Sequence, residues 1–259
     1  MEFYIHSDRC FLREEENGAF KLMALATNQT LDFDGRLHAI LGMTDRWADA
    51  EHIARVLQLT TAGANMKAML WNALFSLHAC GLADLRNVPV FAGDGLRWAN
   101  VWDYYALSCF CTENLGKGQS CAVYLNPRYY GYFALHSSLS KRIESVLLLE
   151  EGREIQAAAF FGQSSRYFGG IAFELKSLIF NARMDEEACR KAIREITAFA
   201  CDSLKGKLYK LRYEYLNPRQ DFIAQTLKDA GFRESAQFPG ELKNGRDLIL
   251  LDKMISESV

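Results

Sequence analysis

A carboxylate and two phenols stand on two apolar stretches of this chain. Glu174 lies in FELKSLIF (173–180); Tyr213 and Tyr215, with Glu214 between them, lie in YKLRYEYL (209–216). A carboxylate facing a phenol across a cleft can take and return a proton. Glu174 would then be the general base, with Tyr213, Glu214 or Tyr215 opposite it. The competing reading is structural. Glu174 becomes a solvated strand residue and the two tyrosines core packing, since residues two apart on a strand share a face. Cys109-x-Cys111, with Cys121 ten residues on, is the one cluster of thiols. A zinc site wants a second pair or histidines at ligand spacing, and the histidines at 6, 38, 52, 78 and 136 make no such pattern. Small thiols in apolar packing fit better, and no metal is expected.

These residues belong to a run of alternating elements. The strand at 173–180 precedes a charged helix, DEEACRKAIREITAFACDSL (185–204). The strand at 209–216 follows, then a helix, RQDFIAQTLKDA (219–230), and the dipeptide Gly231-Phe232. ESVLLLEEGREIQAAAFFGQ (144–163) reads as a hairpin turning at EEGRE, and 232–255 as another, turning at KNGR (243–246). Aromatics crowd the stretch before them: VWDYYALSCFCTENL (101–115) reads as a helix, and Tyr129, Tyr130, Tyr132 and Phe133 follow, read mainly as core. Further upstream, RNVPVFAGDGLRWAN (86–100) reads as a linker. The first 33 residues read as short strands at 10–14, 19–25 and 30–33. Helical periods follow at Leu37–Leu41, at 49–59 with Asp49 as N-cap, and at 66–82 with Gly81 as C-cap.

At 259 residues the chain has room for two domains, expected at 1–88 and 101–259 around a linker at 89–100. A net charge of −2 gives no pull toward nucleic acid or anionic membranes, and no window approaches the ~20 apolar residues of a membrane span. The start, MEFYIHSDRC, lacks a basic head and apolar core, and an odd number of cysteines, seven, argues against a disulfide framework. A cytoplasmic protein is expected.

TLDFDGRLHAILGMTDRWADAEHIARVL and LWNALFSLHACGLADL (70–85), after the short strands, resemble the PqqD-type peptide-recognition module, a winged-helix-like arrangement of three strands and three helices, over residues 3–85. The resemblance implies that a leader peptide adds a strand along Gln29, Thr30, Leu31, Asp32 and Phe33. Alternatively, the region is a helical docking domain.

From 144 onward the order hairpin, strand, helix, strand, helix, Gly-Phe, hairpin resembles the GNAT acyltransferase fold, over about residues 95–255. SLIFNARMDEEACRKAI (177–193) and YLNPRQDFIAQTLKDAGF (215–232) are similar to the GNAT-like domain of FkbH-type proteins. The fold expected is therefore α+β: a winged-helix-like domain, then a mixed sheet flanked by helices. The resemblance implies that the strand before the long helix splays from its neighbour and polarises an acyl thioester. It implies that acyl-CoA or acetyl-CoA is held by Phe180, Asn181, Ala182, Arg183, Arg190 and Gln220. The chain departs from the family pattern in three respects. No glycine stands in the phosphate loop; Asp185, Glu186 and Glu187 place carboxylates where phosphates would sit; and Leu227 occupies the position of the usual tyrosine acid.

The expectation is an acyltransferase moving an acyl group from acyl-CoA or a carrier-protein thioester to an amine, on a ribosomal precursor peptide or similar natural-product substrate. The alternatives are a catalytically inactive GNAT-like scaffold in a peptide-modifying complex, or a winged-helix regulator with a GNAT-like sensor domain.

Overall fold

Two strands with unbroken apolar runs, β9 (Glu144–Glu151) and β10 (Glu154–Gln163), form an antiparallel hairpin at the heart of the larger sheet. Gly152 and Arg153 both take left-handed backbone angles at its turn (φ 58° and 67°), matching the twist of a two-residue hairpin. The computed structural model describes residues 1–15, 20–25, 28–33, 40, 42–49, 51–53, 64–88, 93–122, 127–163, 172–205, 210–215, 221–241 and 247–255. The chain divides into two units, Met1–Val90 and Phe91–Val259, and the fold is of the α+β type.

In the first unit β1 (Glu2–Ile5) lies between β5 (Trp47–Asp49) and β6 (Ala83–Arg86), antiparallel to both. Phe3 and Ile5 point to the core and are fully buried. A separate antiparallel meander joins β2 (Cys10–Glu14), β3 (Phe20–Ala24) and β4 (Gln29–Phe33). Helix α1 (Ala64–Ala79) buries Leu70, Leu74, Phe75 and Leu77. It ends in the Schellman arrangement at Gly81 (φ 76°): the Leu82 N–H donates to the Leu77 carbonyl at 2.9 Å, and the Gly81 N–H to the His78 carbonyl at 2.9 Å. Three strands followed by three helices is not the order among the described residues. Strands β1, β5 and β6 form a second sheet. Asp49 closes β5, while its carboxylate also accepts from the Glu51 N–H (3.0 Å) as a helical turn begins. Most of the helical stretches expected at 37–41 and 49–59 lie outside the described residues.

The second unit is a mixed sheet in the order β13-β14-β12-β11-β10-β9-β7. Its outer members are β7 (Gly95–Trp98), β13 (Arg233–Phe238) and β14 (Leu248–Met254); β11 (Ala172–Phe180) and β12 (Lys210–Tyr215) lie at its middle. Strand β7 falls inside the stretch expected as a linker. It pairs with β9, and its Arg97 ties the edge down: the guanidinium donates to Asp103 (2.8 Å) and to Glu150 (2.7 Å). Among the described strands of this sheet only β11 and β12 pair in parallel, so a crossover must join them, and α4 (Glu186–Leu204) supplies it. Asp185 caps that helix through the Ala188 N–H (2.8 Å), and Glu186 and Glu187 sit in its first turn, where the helix dipole favours negative charge. Cys189, Ala192, Ile193, Ile196 and Ala200 form its buried stripe. With α5 (Asp221–Asp229) it covers one face of the sheet, packing on Phe161, Leu175, Leu178, Phe180, Leu211, Tyr213 and Leu251. Helices α2 (Tyr104–Asn114) and α3 (Tyr132–Ser140) pack on the sheet through β9, β10 and β11. The KNGR turn lies outside the described residues.

Candidate functional site

Strands β11 and β12 pair from Ala172↔Lys210 to Leu175↔Tyr213 and then part. Beyond that point β12 stays on β14, pairing Glu214 with Leu250 and Tyr215 with Ile249. The edge of β11 that this leaves is taken by β8 (Cys121–Ala122), antiparallel, with Ser177 opposite Ala122 and Leu178 opposite Cys121. Ser120, just before β8, accepts the Phe180 N–H at 3.0 Å and donates to the Phe180 carbonyl at 3.3 Å. The loop that follows is satisfied in the same way. The Asn181 N–H donates to the Gln156 carbonyl (2.8 Å), the Ala182 N–H to Asn114 Oδ1 (2.8 Å), the Arg183 N–H to Asn181 Oδ1 (3.1 Å), and the Met184 N–H to the Asn181 carbonyl (2.9 Å). An anion arriving at this loop meets engaged donors rather than free ones.

Two of the candidate proton-transfer residues, Glu174 and Tyr213, do not converge. Tyr213 belongs to the core under α4 and α5 and is 3 % exposed; its hydroxyl lies 3.7 Å from Cys121 Sγ. Burial, with the neighbouring thiol, holds its phenol well above the usual range. Glu174 aligns with Arg212, the residue before Tyr213, and so stands on the opposite face. There Arg212 is fork-bonded to Asp252 (2.7 Å twice), and Lys210 donates to the same carboxylate (2.7 Å). Glu174 is therefore a buried member of a charged row, not a solvated strand residue. Glu174 and Tyr213 therefore do not face each other across a cleft, because adjacent strand positions face opposite ways. Tyr215 is placed by its backbone only, its side chain lying outside the described residues, as does all of Gln220.

Arg190 turns inward from α4. It pairs with Glu186 (2.7 Å), donates to Thr226 Oγ1 (2.9 Å) on α5, and lies over the Phe222 ring. Arg183 is exposed and forms no ion pair among the described residues. A cavity of about 550 Å³ between α4, α5 and β14 is lined by Arg190, Phe222, Gln225, Lys228, Ile249 and Leu251. Leu227, where the family pattern has a tyrosine, is fully buried in the core.

A second cavity, of about 350 Å³, opens between α3 and the sheet face away from α4. A β-bulge makes it. Phe160 pairs with Ser177 and Phe161 with Leu175, so Lys176 has no partner on β10. Gly162 leaves space for the Lys176 side chain: a Cβ there would lie 2.7 Å from Lys176 Nζ. Lys176 stands 3.8 Å from Glu144, which Ser138 also approaches at 3.5 Å. Burial pushes the Glu144 carboxyl up, more than Lys176 and Ser138 pull it down. Tyr130 and Ser177, hydrogen-bonded at 3.0 Å, form the floor with Phe160. Sequence reading missed this site. Its one local signal is Gly162, a glycine inside a strand.

Among the described strands of the first unit β4 is an edge strand, with Thr30 and Asp32 exposed and Leu31 partly buried; the Gln29 and Phe33 side chains lie outside the described residues. Among the described residues no three His, Cys, Asp or Glu side chains gather as a metal would require, and no helix is long and apolar enough to cross a membrane.

No family model matches the chain, and no curated protein matches it. Solved structures do resemble it. A putative acetyltransferase of the GNAT family from Desulfovibrio desulfuricans is 12 % identical, over 62 % of this chain and 100 % of that one, with a TM-score of 0.46. The putative acetyltransferase YncA from Salmonella typhimurium, solved with its cofactor acetyl-CoA, is 20 % identical over 63 % and 95 %, with a TM-score of 0.47. The ribosomal-protein-S5-alanine acetyltransferase from Vibrio fischeri is 15 % identical over 62 % and 93 %, with a TM-score of 0.44.

Proposed function

We propose that the second unit is a GNAT-like acyltransferase domain that moves an acyl group from a thioester to an amine, and that the first unit presents the acceptor, a precursor peptide or related natural product, by its β4 edge. The observation that carries this reading is the parting of β11 from β12 after Leu175 and Tyr213, with α4 as the crossover. A strand leaving its partner turns backbone N–H groups toward a space where a carbonyl can be polarised. In the described state β8 and Ser120 hold that edge, so a donor displaces them. Arg190 and Lys228, in the cavity between α4 and α5, meet the donor's charged end in place of a glycine loop. Glu144 and not Glu174 is the carboxylate that faces an open cavity, and it takes the proton the amine loses. The amine nitrogen attacks the thioester carbon, the C–S bond breaks, and the thiolate leaves with the proton returned to it.

A second reading has its own observation. The engaged N–H groups from Phe180 to Met184 fit a GNAT-like shell that binds without turnover, as a scaffold in a peptide-modifying complex. One experiment separates the two. The chain is incubated with acetyl-CoA, a long-chain acyl-CoA or an acylated carrier protein, together with a precursor peptide. Mass spectrometry then reads acylation, and thermal unfolding reads donor binding; a donor at 100 times its Kd stabilises by about 2.7 kcal/mol. Stabilisation with acylated product supports the transferase. Peptide binding with neither supports the scaffold. Proline at Thr30 or Leu31 tests the β4 edge, because it removes a strand N–H.

A further inference from the structure

We infer that the cavity beneath α3 binds one apolar residue by its free α-amino group, with Glu144 holding the ammonium and the aromatic rim holding the side chain. Three features converge on that ligand. The volume, about 350 Å³, is at the small end for ligand sites and suits one residue rather than a folded segment. The rim is apolar and open to solvent: Tyr129 is 54 %, Phe133 37 % and Ile143 61 % exposed, an unusual concentration around one opening. Among the described residues the interior carries one carboxylate, Glu144, and one ammonium, Lys176, in a loose 3.8 Å pair that a ligand of matching charges can enter. Lys176 is held there by a bulge and by the absence of a side chain at Gly162, so its place is built into the sheet. Two sources present this chemistry, a free amino acid and the first residue of a peptide. They differ in the carboxylate that Lys176 would meet. As an acceptor site the cavity rests on the acyl-transfer reading; as a binding site it does not, and the test contains no acyl donor.

Calorimetry with the full chain uses L-phenylalanine, L-phenylalaninamide and N-acetyl-L-phenylalanine. Saturable binding is expected for an amine-bearing ligand and none for the N-acetyl compound. Glu144→Gln weakens binding at least tenfold, and Ala134→Trp, which fills the cavity, abolishes it. Near-ultraviolet circular dichroism confirms that each variant folds, and Glu144→Gln carries the test if Ala134→Trp does not. If L-phenylalanine binds more tightly than its amide, and Lys176→Met removes only that difference, the source is a free amino acid. If the amide binds as tightly, the source is a peptide N-terminus. Binding of the N-acetyl compound equal to that of the amines overturns the inference. So does an affinity unchanged in Glu144→Gln, or no binding by either amine.

Discussion

Ser120 satisfies both backbone groups of Phe180, accepting its N–H at 3.0 Å and donating to its carbonyl at 3.3 Å from 60 positions away in the chain. One hydroxyl thereby closes the edge that β11 would otherwise leave open beyond β8. Ser120→Ala removes both bonds and leaves the two Phe180 groups short of a partner. The variant is expected to lose about 1–3 kcal/mol in urea unfolding, with faster hydrogen exchange at Phe180. If a thioester donor competes for the same edge, the variant also binds that donor more tightly than the parent chain.

Arg97 holds two carboxylates that are almost wholly buried, Asp103 at 4 % and Glu150 at 3 % exposure. Removing one member of such a cluster strands the others without compensation. Arg97→Met is expected to cost about 3–5 kcal/mol, measured by chemical unfolding. Adding Glu150→Gln to that variant recovers part of the loss, since one uncompensated charge disappears.

Burial pushes the His78 imidazole down to about 4, although Asp84 pulls the other way. The folded chain therefore resists protonation there while the unfolded chain accepts it near pH 6.5. Between those values the unfolded state binds more protons, so this contribution to stability is complete above pH 6.5 and is lost as pH falls toward 4. The loss approaches roughly 3 kcal/mol. The difference in stability between the parent chain and His78→Gln, followed from pH 7 to pH 4, isolates it. A difference that does not change with pH contradicts the buried neutral imidazole.

Burial raises the Glu144 carboxyl from its ordinary value because it disfavours the charged form. Holding an ammonium requires that charge. Affinity for L-phenylalaninamide is therefore expected to fall as pH drops through the raised value, at a higher pH than an exposed carboxylate would give. The same group destabilises the fold slightly as pH rises through that value, since the folded state gives up its proton last. Glu144→Gln removes both dependences, read by calorimetry and by unfolding across pH 4–8.

Much of the second unit was legible in local pattern. Asp185 before an apolar stripe of period 3.6 announces α4, and the apolar runs around Gly152 announce the β9–β10 hairpin. Gly81 and Gly231 sit where left-handed backbone ends a helix, at φ 76° and 92°. Such features depend on residues a few positions apart. Pairing between distant segments was not legible. Strand β6 meets β1 about 80 residues away, β7 pairs from within an apparent linker, and two residues at 121–122 take the edge of β11.

From the β9–β10 hairpin to α5 the sequence by itself determined the elements and their order, because capping, turn conformation and amphipathic period are short-range properties of the chain. Only the tertiary structure decided which of the candidate side chains meet. Glu174 and Tyr213 look like partners as text, but adjacent positions on parallel strands point to opposite faces. Glu174 joins the row with Arg212, and Tyr213 joins the core. A bulge that no periodicity announces turns Lys176 toward Glu144 instead. Register is a long-range property of the sheet, and a shift of one residue is enough to exchange one candidate site for another.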